Sequence, residues 1–168
     1  VKHLVESAGV PHTEIGQVAV NGMPSGLRYL VQDGDCGSIF AILPGQGLHP
    51  NGARFILDNH LGRLAAYLRM LGFDSLYRND LQDKELARIA SEEERILLTR
   101  DRRLLMRRAV EYGYCLRSLD SRRQAHEVLQ RYDLSAQVVP FRRCLRCNAP
   151  LEPVNKEAVL DHLLPLTR

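Results

Sequence analysis

Apolar residues change their spacing along this chain, and the changes divide it. Val1, Leu4, Val5 and Ala8 recur at helical spacing, and Gly9 with Pro11 ends that helix. Ile15 to Val20 predicts a strand and Asn21–Gly22 a hairpin turn. After the Asp33–Gly34–Asp35 turn, Ser38 to Leu43 predicts a last strand of this first group. Pro44 to Gly52 is punctuated by glycine and proline and predicts a linker. Beyond it, short apolar runs alternate with amphipathic stretches. Phe55 to Leu57 precedes a stripe of Leu61, Leu64, Ala65, Leu68 and Leu71, with Arg63 and Arg69 on other faces. Phe73 to Tyr77 precedes Leu86, Ile89 and Ala90. Ile96 to Thr99 precedes a basic helix expected over Arg102 to Tyr112. Tyr114 to Arg117 precedes a helix over Arg122 to Tyr132, with Ala125, Val128 and Leu129 inward. Strands alternating with helices predict an α/β fold, its parallel sheet covered on both faces.

That architecture gives the acids a place. In open α/β sheets, ligands bind at the carboxyl ends of the strands. Asp58 and Asp101 fall just past strand ends, and Asp120 past the third extended stretch. Asp80 and Asp83 precede the Leu86 helix and can reach the same edge. Carboxylates gathered on one edge repel unless a divalent cation neutralises them. Oxygen-only ligands suit Mg²⁺ or Mn²⁺ rather than zinc. Each acid also has a plainer use. Aspartate is a preferred helix N-cap, worth about 1 kcal/mol; Asp58, Asp83 and Asp101 are each placed to cap the following helix, and Ser121 competes with Asp120. The expectation of chemistry rests on the set converging. Thr99 and Ser118 could orient a water, or be ordinary strand-end hydroxyls. His60 lacks a partner at ligand spacing and reads as a surface histidine.

Charge adds a second expectation. The 168 residues carry a net +3, but residues 1–50 hold two basic against four acidic side chains, −2, which leaves +5 for the rest. The excess is arginine, paired at Arg102–Arg103, Arg107–Arg108, Arg122–Arg123 and Arg142–Arg143. Such a basic half fits a polyanion or a solvated surface. No apolar run approaches the roughly 18 residues of a membrane span. Cys36 and Cys115 read as core residues, Cys144 and Cys147 form a CxxC, and nothing resembles a disulfide framework, so a reducing cytoplasm is expected. The chain begins at Val1 rather than Met, which reads as a piece of a longer protein.

Residues 1–45, in the order helix, strand, Asn-Gly turn, Asp-Gly-Asp turn and strand, resemble the second half of a beta-grasp domain of the ubiquitin-like, sulfur-carrier type, without its first hairpin. Sulfur carriers end in a free Gly-Gly; here the chain runs on through Pro44–Gly45–Gln46–Gly47. That points away from a carrier and toward docking, RNA contact, or packing alone. Four later motifs, FILDNHLGRLAAYLRMLGFD, NDLQDKELARIASEEERILLTRD, YCLRS and FRRCLRCNAPLEPV, stand in the order found in the Mut-seven C-terminal RNase family, which residues 54 to about 160 resemble. The resemblance implies a PIN-like α/β/α sandwich over 54–140, a linker over 46–53, an incomplete zinc-ribbon segment over 141–168, and metal-dependent RNA cleavage. Asp58, Asp83 and Asp101 match the family's carboxylate positions, with Asp120 a fourth candidate. Carboxylate-held metals would activate a water and stabilise charge on the phosphate oxygens. Arg63, Arg100, Arg102 and Arg103 are placed to hold RNA phosphates, and Arg142, Arg143 and Arg146 to do so at the ribbon. Cys144 and Cys147 match one knuckle of a ribbon. Structural Zn²⁺ needs four ligands, so half a site is present. His162 is the only later metal-type residue and lacks a partner histidine, and little zinc is expected here.

A competing reading is a non-catalytic RNA-binding or adaptor protein, with the acids serving as caps. Acids converging within a few ångströms favour the enzyme; acids scattered over separate helix ends favour the adaptor. A receiver-like phosphoacceptor domain is disfavoured by the absence of paired acids after the first strand and of a late lysine.

Overall fold

Two central strands set the frame, because each is buried on both faces. The computed structural model describes residues 1–160. In it β4 (Arg54–Leu57) and β6 (Ile96–Thr99) lie side by side, flanked by β5 (Asp74–Tyr77) and β7 (Gly113–Cys115), in a parallel sheet of order β5-β4-β6-β7. Side chains alternate across a strand. Phe55, Leu57, Ile96 and Leu98 therefore pack on one face with Leu64, Leu68 and Val128, and Ile56 and Leu97 on the other with Leu86, Leu104 and Leu105. The first face is covered by α2 (Gly62–Met70) and α5 (Ser121–Tyr132), the second by α3 (Asp83–Glu92) and α4 (Arg102–Leu105). This is the doubly wound α/β architecture the alternation predicted.

The strand order matters for chemistry. From β4 the chain moves out to β5 on one side, then returns and moves to β6 and β7 on the other. The reversal falls between β4 and β6, the position at whose carboxyl ends open α/β sheets ordinarily bind ligands.

The helix expected from Arg102 to Tyr112 stops at Leu105. Leu104 and Leu105 face the core, being 1% and 0% exposed. A continued helix at 3.6 residues per turn would swing Arg108 onto that inner face and Val110 away from it. The chain instead leaves the helix, Arg108 stays exposed and Val110 is buried.

At the N-terminus, α1 (Lys2–Ser7) precedes an antiparallel sheet of β1 (Ile15–Val20), β2 (Met23–Ser25) and β3 (Gly37–Ala41), in the order β2-β1-β3. Asn21 and Gly22, at φ 52° and 78°, make the tight hairpin turn. Of the α1 stripe only Val5 is buried; Leu4 and Ala8 line an open groove toward β3. Cys36, expected in a core, is exposed in the turn before β3, where its N–H donates to Asn21 Oδ1. The segment before β4 is tied down: Arg131 on α5 donates to the carbonyls of Leu43 and Gln46 and lies over the Tyr132 ring at 5.0 Å.

Side chains from outside the parallel sheet close both of its edges. At β7, Glu14 Oε1 accepts the N–H of Cys115 at 3.0 Å and Oε2 the guanidinium of Arg117 at 2.5 Å. At β5, Asn148 Oδ1 accepts the N–H of Ser75 at 3.0 Å. Gly72 shows how closely the C-terminal segment docks. It has φ 96°, and a Cβ there would stand 2.1 Å from the Val139 carbonyl oxygen. Gly72→Ala is expected to destabilise the fold by at least about 2 kcal/mol, from strained φ and backbone displacement together, measured as a shifted urea midpoint at constant m-value.

Candidate active site

β4 and β6 deliver the two best-placed acids. Asp58 follows Leu57, and its N–H donates to the Leu98 carbonyl at 3.0 Å, extending the β4–β6 pairing by one residue. Its side chain is only 9% exposed. Oδ1 accepts from the Asn59 N–H at 2.7 Å and Oδ2 from the Thr99 hydroxyl at 2.6 Å. The same Thr99 oxygen accepts the Asp101 N–H at 2.9 Å. One buried hydroxyl thus ties the two acids together at the crevice between the central strands. That hydroxyl donates once and accepts once, so it bridges the Asp58 carboxylate and the Asp101 backbone.

Asp101 is exposed, and its Oδ1 accepts the Arg103 N–H at 2.7 Å as the cap of α4. Asp58 caps the single 3-10 turn Asn59–Leu61. Asp120 caps α5 by accepting the Arg123 N–H at 2.9 Å, ahead of its competitor Ser121, which becomes the first helical residue. Asp83 differs from expectation. Gln82 holds the cap position of α3, and Asp83 in the first turn lies 3.5 Å from Arg107. Asp80 pairs with Arg78 in an exposed bidentate contact and stays outside the site. Ser118 is engaged with the backbone of Asp120, and His60 is exposed. Among the described residues no three His, Cys, Asp or Glu side chains gather as a metal cluster. The Asp58 carboxylate and the Asp101 backbone thus share Thr99, while Asp83 and Asp120 occupy the carboxyl-side loops at separate helix starts.

Asn59, which the sequence did not single out, directly follows Asp58. Asn59 Oδ1 is buried with no hydrogen-bond partner, and it stands next to Asp58. Its loop is held in place by Tyr77, whose hydroxyl donates to the Asn59 carbonyl at 2.8 Å. A Cβ at position 62 would meet that ring at 2.9 Å, which accounts for Gly62. The donor set fits a hard cation. Mg²⁺ is ordinarily held by one or two carboxylates, waters and substrate phosphates rather than by an all-protein cage. Asp58, Asp101 and the Asn59 amide oxygen supply oxygen donors of that kind. The signal available in the sequence was the polar neighbour directly after a strand-end acid.

The arginines fall into two groups. Arg63, Arg100, Arg102 and Arg103 are exposed at the carboxyl side, near the starts of α2 and α4. Arg142 and Arg146 are exposed on the knuckle, whereas Arg143 is half-buried, donating to the Asn148 carbonyl and lying 3.6 Å from Asp74. Arg69, expected on a solvated face, is buried at the end of α2, where it donates to the carbonyls of Ser75, Leu145 and Arg146. It clamps the Cys144–Cys147 knuckle to the amino end of the sheet, opposite the carboxylates. The N–H groups of Cys147 and Arg146 hold the Cys144 thiol below its ordinary range. Two thiols are half of a zinc site, and among the described residues no third ligand stands with them; His162 lies outside the described residues. Burial pushes the Cys115 thiol up, leaving it an inert core group.

A family model described as Mut7-C RNAse domain matches residues 53–168, and one described as Mut7-C ubiquitin matches residues 1–44. No curated protein and no solved structure matches the chain. No helix among the described residues is long and apolar enough to cross a membrane.

Asp74 sits where the knuckle meets the sheet. Burial would raise its carboxyl, but hydrogen bonds from Arg95 and Asn148, and the charges of Arg95 and Arg143, outweigh burial and hold it below its ordinary value. A depressed folded value contributes stability that is present above the unfolded value near about 3.9 and is lost as pH falls through the folded one. Asp74→Asn removes the more buried of the two carboxylates that face Arg95 and leaves the exposed Glu93 as its remaining partner. It is expected to cost about 3 kcal/mol at neutral pH and to flatten stability against pH below about 4, both read from urea titrations.

Proposed function

The chain belongs to the Mut7-C RNAse family, and from that premise we propose that it is a divalent-metal-dependent ribonuclease acting at the carboxyl edge of its parallel sheet. The observation that supports this reading is that one Thr99 hydroxyl binds both the Asp58 carboxylate and the Asp101 backbone N–H, at the point where the strand order reverses. Asp58, Asp101 and the Asn59 amide oxygen would hold Mg²⁺ or Mn²⁺ together with a phosphate of the RNA. Asp83, loosely engaged by Arg107, is the third carboxylate of the proposal and Asp120 the fourth. When bound, the cation makes a water a better nucleophile and offsets charge on the non-bridging and leaving oxygens.

The chain's own residues do the positioning. Thr99 holds the Asp58 carboxylate and the Asp101 backbone before substrate arrives, a preorganisation of the kind on which electrostatic catalysis depends. Arg63, Arg100, Arg102 and Arg103 surround the crevice as phosphate ligands, fixing the strand without reading its sequence.

A second reading has one observation behind it. Asp58, Asp101 and Asp120 each accept a backbone N–H as a cap, as a non-catalytic RNA-binding protein would use them. Substitution by asparagine separates the two, because asparagine caps a helix about as well as aspartate but removes the negative charge that a divalent cation is held by. Asp101→Asn is expected to melt within a degree or two of wild type and to lose at least about 100-fold in the rate of RNA cleavage with Mg²⁺ or Mn²⁺. Asp58→Asn is expected to lose as much, and EDTA to silence the wild type. Equal cleavage by wild type and Asp101→Asn would return that residue to a cap alone. Salt-dependent binding of RNA without cleavage by any variant would favour the second reading.

A further inference from the structure

The knuckle at the amino end of the sheet carries a feature that the carboxylate chemistry does not use. Phe141 is 88% exposed. It also sits at φ 63°, in the left-handed region where a bulky side chain is an outlier. A backbone strained to hold a large aromatic in water calls for a reason, and burial is not one. Beside it, Met70, Pro140, Leu145 and Leu151 line an apolar pocket of about 270 Å³. Leu145 and Leu151 are 52% and 48% exposed. Arg142 and Arg146 are exposed on the same knuckle, and among the described residues no acid forms an ion pair with either; the neighbouring Arg143 is the one that faces Asp74.

An exposed aromatic, an apolar slot and two arginines on one short segment match one chemistry. Single-stranded RNA presents unstacked bases with flat apolar faces and a phosphate on either side. Aromatic platforms in basic surroundings bind it with little regard to sequence. A second copy of the chain fits less well, since it would set arginine against arginine. We propose that Phe141 and the pocket beside it form a base-stacking site for single-stranded RNA, with Arg142 and Arg146 holding the flanking phosphates. The proposal takes the identity of the polymer from the ribonuclease reading.

Its position gives it a role. Met70 ends α2, and the nine residues of α2 span about 13 Å from the carboxyl edge. The site is therefore an anchor remote from Asp58 and Asp101. It would hold one part of a strand while another lies in the crevice.

The chain has no tryptophan, so Phe141→Trp places the sole indole at the site. The experiment titrates a labelled single-stranded RNA of about 16 nucleotides into wild type, Phe141→Ala, Phe141→Gly and Phe141→Trp, with EDTA present to prevent cleavage. The indole of Phe141→Trp is expected to be quenched on binding, at wild-type affinity, and Phe141→Ala to bind about tenfold more weakly. Phe141→Gly relieves the strained φ, so it is expected to melt no lower than wild type and still to bind weakly. Unchanged affinity in the alanine and glycine variants, with an unquenched indole, removes the site and leaves the ribonuclease reading standing. Wild type that neither binds nor cleaves RNA removes both. Self-association that rises with concentration and disappears in Phe141→Ala would make the patch a contact between copies and overturn the proposal.

Discussion

Thr99 is fully buried at the end of β6, and its single hydroxyl is used twice, as donor to Asp58 Oδ2 and as acceptor for the Asp101 N–H. A hydroxyl can do both at once, which valine, its isostere, could not. Much of the parallel sheet can be understood as what keeps that threonine in place. β6 is held between β4 and β7, and Ile96, Leu97 and Leu98 are without exposure on either face. Such close packing permits few alternative positions for the strand end. The Asp58 N–H to Leu98 carbonyl bond then fixes the neighbouring strand end at the same height. The Asp58 carboxylate and the Asp101 backbone, on separate segments, are joined by hydrogen bonds whose geometry the core has already decided.

The opposite end of the sheet is organised by charge. Asp74, Arg95, Arg143 and Asn148 meet there, and Arg69 reaches past them to the knuckle carbonyls. The Arg95 side chain is only 8% exposed. A cation removed from water to that degree needs a partner that cannot withdraw, and Asp74, on an edge strand and itself bonded by Asn148, is one. Opposed helix termini and strand ends thus carry different duties: carboxylates with open oxygens at one end, saturated ion pairs at the other. The zinc-type thiols and the exposed Phe141 belong to the second end, which separates whatever binds there from the crevice by the length of a helix.

The alternation of short apolar runs with amphipathic stretches was enough to foresee the parallel sheet and the strand-end place of Asp58 and Asp101. Period-2 burial and ligand placement at strand ends are local or topological rules, and both operate on a single sequence. Asp58 and Asp101 as caps were readable for the same reason, whereas Asp120 and Ser121 competed for theirs. What escaped was set by contacts distant in sequence. Arg69 falls outside the apolar stripe and looks solvated until residues near 145 fold over it. The shortness of α4 depends on Val110 being needed in the core, which no helix propensity registers. Glu14 and Asn148 each act across the fold on a backbone edge that exists only once the sheet has formed. Cys36 shows the reverse error: a small apolar side chain suggested burial where the turn geometry used its backbone instead.

The two flanking segments make the same move at opposite edges. A parallel sheet with exposed edges offers its unpaired N–H groups to any passing strand. Here Glu14 accepts the outward N–H of Cys115, and Asn148 accepts that of Ser75. A side-chain acceptor satisfies the donor without extending the ladder, so the sheet is closed rather than enlarged. On the β7 side this has a further effect. Glu14 also holds Arg117, while Glu127 on α5 accepts the N–H groups of Arg117 and Ser118. The loop that presents Asp120 is thereby gripped from both the N-terminal segment and the helix it precedes. The ubiquitin-like segment is therefore part of what shapes the carboxyl edge. Its disturbance should be felt in the geometry of the acids before it is felt in the parallel core, whose packing it barely touches.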